Sequence, residues 1–157
     1  MIAPGEKLDV GFKLKVVQAG AVKEVEFRDL LTRRTVVSVY MKNNTPTCDR
    51  QAAGLAECAP ELERAGFNVV GLSRDTSGSH ARYAAAKKIS FTLASDPEDK
   101  FAKAAGSLVQ KSMYGRTFVG PSRSAYVLDR DGTVLAVLEK VEAAKHADQL
   151  RELIKSV

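Results

Sequence analysis

The sequence predicts an α/β fold: a mixed central sheet flanked by helices on both faces, entered through an N-terminal β-hairpin. Three observations carry this. Residues 35–40 (TVVSVY) and 67–72 (FNVVGL) are β-branched and apolar runs of the kind found in strands buried on both faces. Strand-like segments alternate with helical ones, as in a sheet covered on both sides. Two further apolar runs, 123–128 and 133–138, are joined by Asp129-Arg130-Asp131-Gly132, a hairpin turn that makes the sheet mixed rather than purely parallel.

The elements follow in order. Residues 12–17 and 23–27 are β-prone and flank Ala19-Gly20, which reads as a hairpin, and 28–32 read as a short helical turn. After the strand 35–40 comes a polar loop, 42–46. A helix follows, with Cys48, Ala52, Leu55, Ala59 and Leu62 spaced by 4, 3, 4 and 3 on one face, and Gly66 as its stop. Beyond the strand 67–72, a polar turn at 75–79 leads to a helix over 80–88, and 91–93 is a short strand. Asp96-Pro97-Glu98 places a capping residue before a proline and an acid, which predicts a helix from there to about residue 105. Residues 107–121 bear Gly and Ser and read as a connector, and the last helix covers about 144–155. Without an internal repeat or a long linker, residues 1–157 are expected to form one domain.

Composition narrows the function classes. Hydrophobic residues at 45% and charged residues at 27% are ordinary globular values and exclude a disordered or low-complexity chain. The net charge of +5 is scattered, the densest pairs being Arg33-Arg34 and Lys87-Lys88, and no basic run interleaved with aromatic residues points to nucleic acid. No stretch approaches the ~18 apolar residues of a membrane span. Residues 1–15 lack the pattern of a signal peptide, so a cytoplasmic, reducing compartment is expected. Two cysteines, Cys48 and Cys58, are too few for a disulfide scaffold, and with only His80 and His146 at a distance they do not complete a zinc site. Both histidines read as surface helix residues. Asp129-Arg130-Asp131-Gly132 is not a calcium loop, since Gly132 comes too early and Lys140 stands where an acid is needed. No metal or cofactor is expected.

Cys48 is the sharpest feature. It falls in the first turn of a predicted helix, just after Thr45-Pro46. A thiolate there meets unpaired backbone N–H groups and the positive end of the helix dipole, which lower its pKa. The Thr45 hydroxyl, three residues earlier, can turn toward the sulfur with one donor and two acceptor positions. The alternative is a small buried apolar residue beside a helix-capping threonine.

The segment Thr45-Pro46-Thr47-Cys48, preceded by Val36-Val37-Ser38-Val39-Tyr40, resembles the active-site segment of peroxiredoxins. It is most similar to the branch called bacterioferritin comigratory protein or peroxiredoxin Q, with Thr45 and Cys48 filling the last two places of Pro-x-x-x-Thr-x-x-Cys. The resemblance continues in order through Gln51 and Gly54, Gly71-Leu72-Ser73-Arg74-Asp75, Phe91-Thr92-Leu93-Ala94-Ser95-Asp96, Lys111-Ser112-Met113-Tyr114-Gly115-Arg116-Thr117, and Arg123-Ser124-Ala125-Tyr126-Val127-Leu128-Asp129. It implies a thioredoxin-like fold and thiol-dependent reduction of hydroperoxides. Cys48 would be the peroxidatic residue, Thr45 would hydrogen-bond the peroxide and Arg123 would polarise it, with Pro46 and Thr47 shaping the pocket. Thioredoxin, glutaredoxin or a small thiol would close the cycle. A monomer is expected, with a dimer as the alternative.

The chain departs from that pattern twice. Met41 replaces the family proline, which shapes the loop but supplies no reacting group. Ala53 stands where many relatives carry a resolving cysteine, leaving Cys58, ten residues after Cys48, as the only candidate for that role. Ten helical residues span ~15 Å, and a disulfide needs Cα atoms within ~7 Å, so such a bond requires unwinding, which Pro60 would ease. Resolution by an external thiol is the favoured reading. A peroxide sensor or redox relay on the same scaffold is the alternative function. A disulfide oxidoreductase is disfavoured, because Cys48 is not followed by a second cysteine in Cys-x-x-Cys spacing.

Overall fold

The computed structural model describes residues 1–157 other than the side chain of Met113. β1 (Lys13–Gln18) and β2 (Ala21–Glu26) form the expected hairpin. Their turn holds Ala19 and Gly20 at φ 49° and 80°, the twist that a two-residue hairpin loop needs. A 3-10 turn, Phe27–Leu30, drops Phe27 and Leu30 into the core. The β-branched run becomes β3 (Thr35–Val39), buried at every position. α1 (Pro46–Arg64) follows and passes through Pro60 without a break. β4 (Asn68–Ser73) leads to α2 (Ser77–Lys87), which starts earlier than the apolar spacing suggested because the Thr76 hydroxyl accepts from the Ser79 N–H as its cap.

β5 (Thr92–Ser95) is followed by α3 (Lys100–Ala105), which begins later than expected from Asp96. Asp96 does cap it, accepting from the Lys100 and Phe101 N–H groups at 2.8 and 2.9 Å, but from the far side of a turn. Arg74 pairs with Asp99, which sits at φ 55° in that turn. The expected connector at 107–121 is a second hairpin, β6 (Leu108–Met113) and β7 (Arg116–Pro121), in which Tyr114 and Gly115 make the two-residue turn at φ 51° and 76°. β8 (Ser124–Leu128) and β9 (Val134–Leu138) form the predicted closing hairpin, and α4 (His146–Lys155) ends the chain after a 3-10 turn, Ala143–Lys145.

A seven-stranded sheet runs in the order β2-β1-β5-β4-β3-β8-β9, with β6-β7 as a separate pair. β3, β4 and β5 are parallel to one another, while β1, β8 and β9 pair antiparallel, so the sheet is mixed as expected. The period-2 alternation of strands sorts the core into two layers. Val36, Ala125 and Val127 pack with Leu55, Leu62, Tyr83 and Leu150 from α1, α2 and α4. Val37, Val39, Tyr126 and Leu128 pack on the other face with Phe27 and Phe101. By the same parity Ser38 and Arg123 belong to the face covered by α1, and that puts both near the first turns of the helix.

Candidate active site

The site is assembled where β3 hands over to α1. Thr45 is the extended residue before the helix, at φ −118° and ψ 145°, and Pro46 occupies the first helical turn, where its missing N–H costs nothing. Pro46 and Thr47 are exposed, whereas Cys48 is turned inward and only 2% exposed. It lies on the buried face of α1 that continues through Gln51, Ala52 and Leu55.

Arg123 arrives from one residue before β8. Its Nη1 lies 3.3 Å from Cys48 Sγ and donates at 2.8 Å to Gln51 Oε1. The structure thus brings together two residues 75 positions apart. Burial pushes the Cys48 thiol up, but hydrogen bonds from Thr45, from the backbone at Lys42 and Met41, and from Arg123 outweigh it and hold the thiol below its ordinary value. Thr45 Oγ1 stands 2.9 Å from the Lys42 carbonyl and donates to it. The hydroxyl has one proton, so it either braces the loop or faces the sulfur.

The loop 41–45 is held from behind. The Tyr40 hydroxyl donates to Asn43 Oδ1 at 2.6 Å, and the Asn43 N–H donates to Asp75 at 2.9 Å. His80 is not a surface residue: it is fully buried beneath this loop. Its Nε2 donates to the Ala94 carbonyl at 3.0 Å, so Nδ1 is left to accept from Asn43 Nδ2 at 3.1 Å. Burial pushes its pKa down. His146 is likewise buried, 1% exposed, and reaches Ser38. The residues follow helical spacing, but each helix buries its histidine against a polar partner contributed by a distant strand. Met41 is half-buried with the Lys111 ammonium of β6 against its sulfur, so the position of the family proline lies between the loop and the β6-β7 hairpin.

Cys58 is not brought to the site. It is fully buried within α1, its Sγ faces the Leu55 carbonyl at 3.6 Å, and burial pushes its thiol up to about 11. Sequence reasoning gave no role to Gln51, the side chain linking Arg123 to β3. A glutamine on an otherwise apolar helix face, one turn after Cys48, was the available signal. Among the described residues no group of His, Cys, Asp and Glu could hold a metal ion, and no helix is long and apolar enough to cross a membrane.

The AhpC/TSA family profile matches residues 6–137. The chain is 32% identical over 133 residues to peroxiredoxin Bcp of Escherichia coli, covering 85% of each chain. It is 32% identical over 121 residues to peroxiredoxin Bcp of Xanthomonas campestris, covering 77% of this chain and 76% of that one. The solved X. campestris bacterioferritin comigratory protein, described in connection with alkyl peroxide reduction, superposes with a TM-score of 0.83 at 28% identity, covering 99% of this chain and 98% of that one.

Proposed function

Because the chain belongs to the AhpC/TSA family of peroxiredoxins and is by that membership a thiol-dependent peroxidase, we propose that Cys48 is the residue that attacks the peroxide. The Cys48 thiolate attacks the terminal oxygen of a hydroperoxide, hydrogen peroxide or an organic one. An S–O bond forms as the O–O bond breaks, the leaving oxygen departs as water or alcohol after taking up a proton, and Cys48 is left as a sulfenic acid. An external thiol, from thioredoxin, glutaredoxin or a small molecule, then attacks the sulfur, releases water and forms a mixed disulfide. A second thiol reduces that disulfide and restores Cys48.

The observation that carries this reading is the placement of Arg123 Nη1 3.3 Å from a thiol at a helix N-terminus. A permanently charged donor stabilises the thiolate before attack and the negative charge on the departing oxygen during it. Thr45 supplies a donor or acceptor for the peroxide, and Pro46, Thr47 and Met41 border the approach. Resolution by an external thiol is favoured over Cys58, because unbroken helix separates the two sulfurs and Cys58 has no cationic donor at hydrogen-bond distance among the described residues. The test is turnover of hydrogen peroxide with dithiothreitol or reduced thioredoxin by the intact protein and by Cys48→Ser. Turnover should vanish in the variant, and equal rates would overturn the assignment.

A further inference from the structure

We propose that His146, at the start of α4, is a positioning residue for the peroxidase reaction, holding Arg123 on the Cys48 sulfur through Ser38 and Gln51. The proposal rests on the reading of Cys48 and Arg123 given above. The chain of contacts is continuous and buried. Arg123 Nη1 donates to Gln51 Oε1 at 2.8 Å, Gln51 Nε2 donates to Ser38 Oγ at 2.9 Å and to the Val39 carbonyl at 3.0 Å, and Ser38 Oγ lies 2.8 Å from His146 Nε2. Ser38 is fully buried, and Gln51 and His146 are each 1% exposed.

The direction of every bond follows from hydrogen-bonding inventory. The Val39 carbonyl only accepts, so the Gln51 amide must present Nε2 to β3 and Oε1 to Arg123. Ser38 Oγ accepts from Gln51, and among the described residues the only acceptor in reach of its own proton is His146 Nε2. His146 is therefore neutral with its proton on Nδ1. Removing Nε2 would free the Ser38 hydroxyl to rotate, loosen the Gln51 amide and release the arginine from the orientation that points Nη1 at sulfur.

Two observations argue against simple packing. His146 Nδ1 is buried with no well-formed hydrogen bond among the described residues, the Gln149 side chain making only a weak contact to the ring. An aliphatic side chain would fill the space without that cost, so the imidazole is justified by what Nε2 does. The approach of α4 is also specially accommodated. Gly54 lies mid-helix in α1, where glycine weakens a helix relative to alanine. A Cβ at this position would stand 3.1 Å from His146 Cβ and 3.2 Å from the Ala147 backbone nitrogen. Glycine here lets His146 come close enough to meet Ser38.

The experiment is a double-mutant cycle on the rate of sulfenic acid formation, followed by stopped flow with hydrogen peroxide. His146→Leu should slow the reaction roughly tenfold, the scale of one lost buried hydrogen bond, and His146→Gln, whose amide can accept from Ser38, should stay within about twofold of the parent. In an Arg123→Lys background His146→Leu should cost no more than about twofold further, because the group it positions is gone. An equal tenfold loss in both backgrounds, or no loss in either, overturns the proposal. Should His146→Leu fail to fold, Ser38→Ala and Gly54→Ala carry the same comparison: loss of rate that disappears in the Arg123→Lys background is expected, and loss independent of Arg123 refutes it. A parent protein without peroxidase activity would instead defeat the functional reading on which the inference rests.

Discussion

Cys48 and Cys58 sit on the same helix, both shielded from solvent, and their thiols are pushed in opposite directions: Cys48 down, Cys58 up to about 11. Burial penalises the charged form of both. The difference lies in the donors. Cys48 has the helix N-terminus, the Thr45 hydroxyl and the Arg123 guanidinium, whereas Cys58 lies mid-helix facing a carbonyl, which can only accept. Concealment from water therefore does not make a cysteine inert. What decides is whether its buried sulfur is offered protons to share or faces only acceptors and apolar surface.

The largest test of that contrast is substitution of the two sulfurs. Cys48→Ser should lower peroxide turnover at least roughly a thousandfold, as loss of a nucleophile does, and Cys58→Ser should leave it within about twofold when an external thiol is supplied. Comparable losses in the two assays would break the comparison. Next comes Arg123→Ala. Removing one preorganised cationic donor should cost about a hundredfold in the rate of peroxide reaction and raise the Cys48 thiol, read from thiolate absorbance during a pH titration. Thr45→Val should cost roughly tenfold, since one hydrogen bond to a charged group is lost, and Thr45→Ser should restore most of it.

A subtler effect concerns His146, where burial is the largest cause. Burial of His146, opposed by the Gln149 side chain and helped by the Arg123 charge, pushes its pKa down to about 4. The unfolded chain, with an ordinary imidazole near 6.5, binds a proton that the folded protein refuses between those values. Stability should therefore rise with pH from about 4 to 6.5 and fall on acidification through the same window, this one group contributing a slope of about 1.4 kcal/mol per pH unit. Denaturant melts at stepped pH measure this. In His146→Gln that component of the slope should disappear, and an unchanged slope would assign the pH dependence to other groups.

Much of the fold was legible because it is written locally. The runs at 35–40 and 67–72 are β-branched because β3 and β4 are covered on both faces, and the spacing from Cys48 to Leu62 matches the buried face of α1. The hairpin at 108–121 was missed. Its strands carry Gln110, Lys111, Arg116 and Gly120 on a surface pair outside the main sheet, so they lack the apolar density that marked the others. The start of α3 was displaced because Asp96 caps it across a turn. At the site, Cys48 and Thr45 could be read from their place before a helix. Arg123 was reached only through family resemblance, since nothing local ties a strand-end arginine to a sulfur 75 residues away. Ser38 and His146 were beyond reach for the same reason, whereas Gln51 showed as a polar residue on an apolar helix face. Polar groups that satisfy one another across a core leave no periodic trace, and His146 follows a 3-10 turn in a segment that otherwise looks solvated.

The central claim is that one of the two thiols reacts and the other stays out of the cycle. Mass spectrometry after one equivalent of hydrogen peroxide, with dimedone present and peptides mapped, tests it most directly. The account predicts a dimedone adduct on Cys48, the trapped sulfenic acid, with Cys58 recovered as an unmodified thiol after unfolding. A loss of two hydrogens with the Cys48 and Cys58 peptides joined would contradict it.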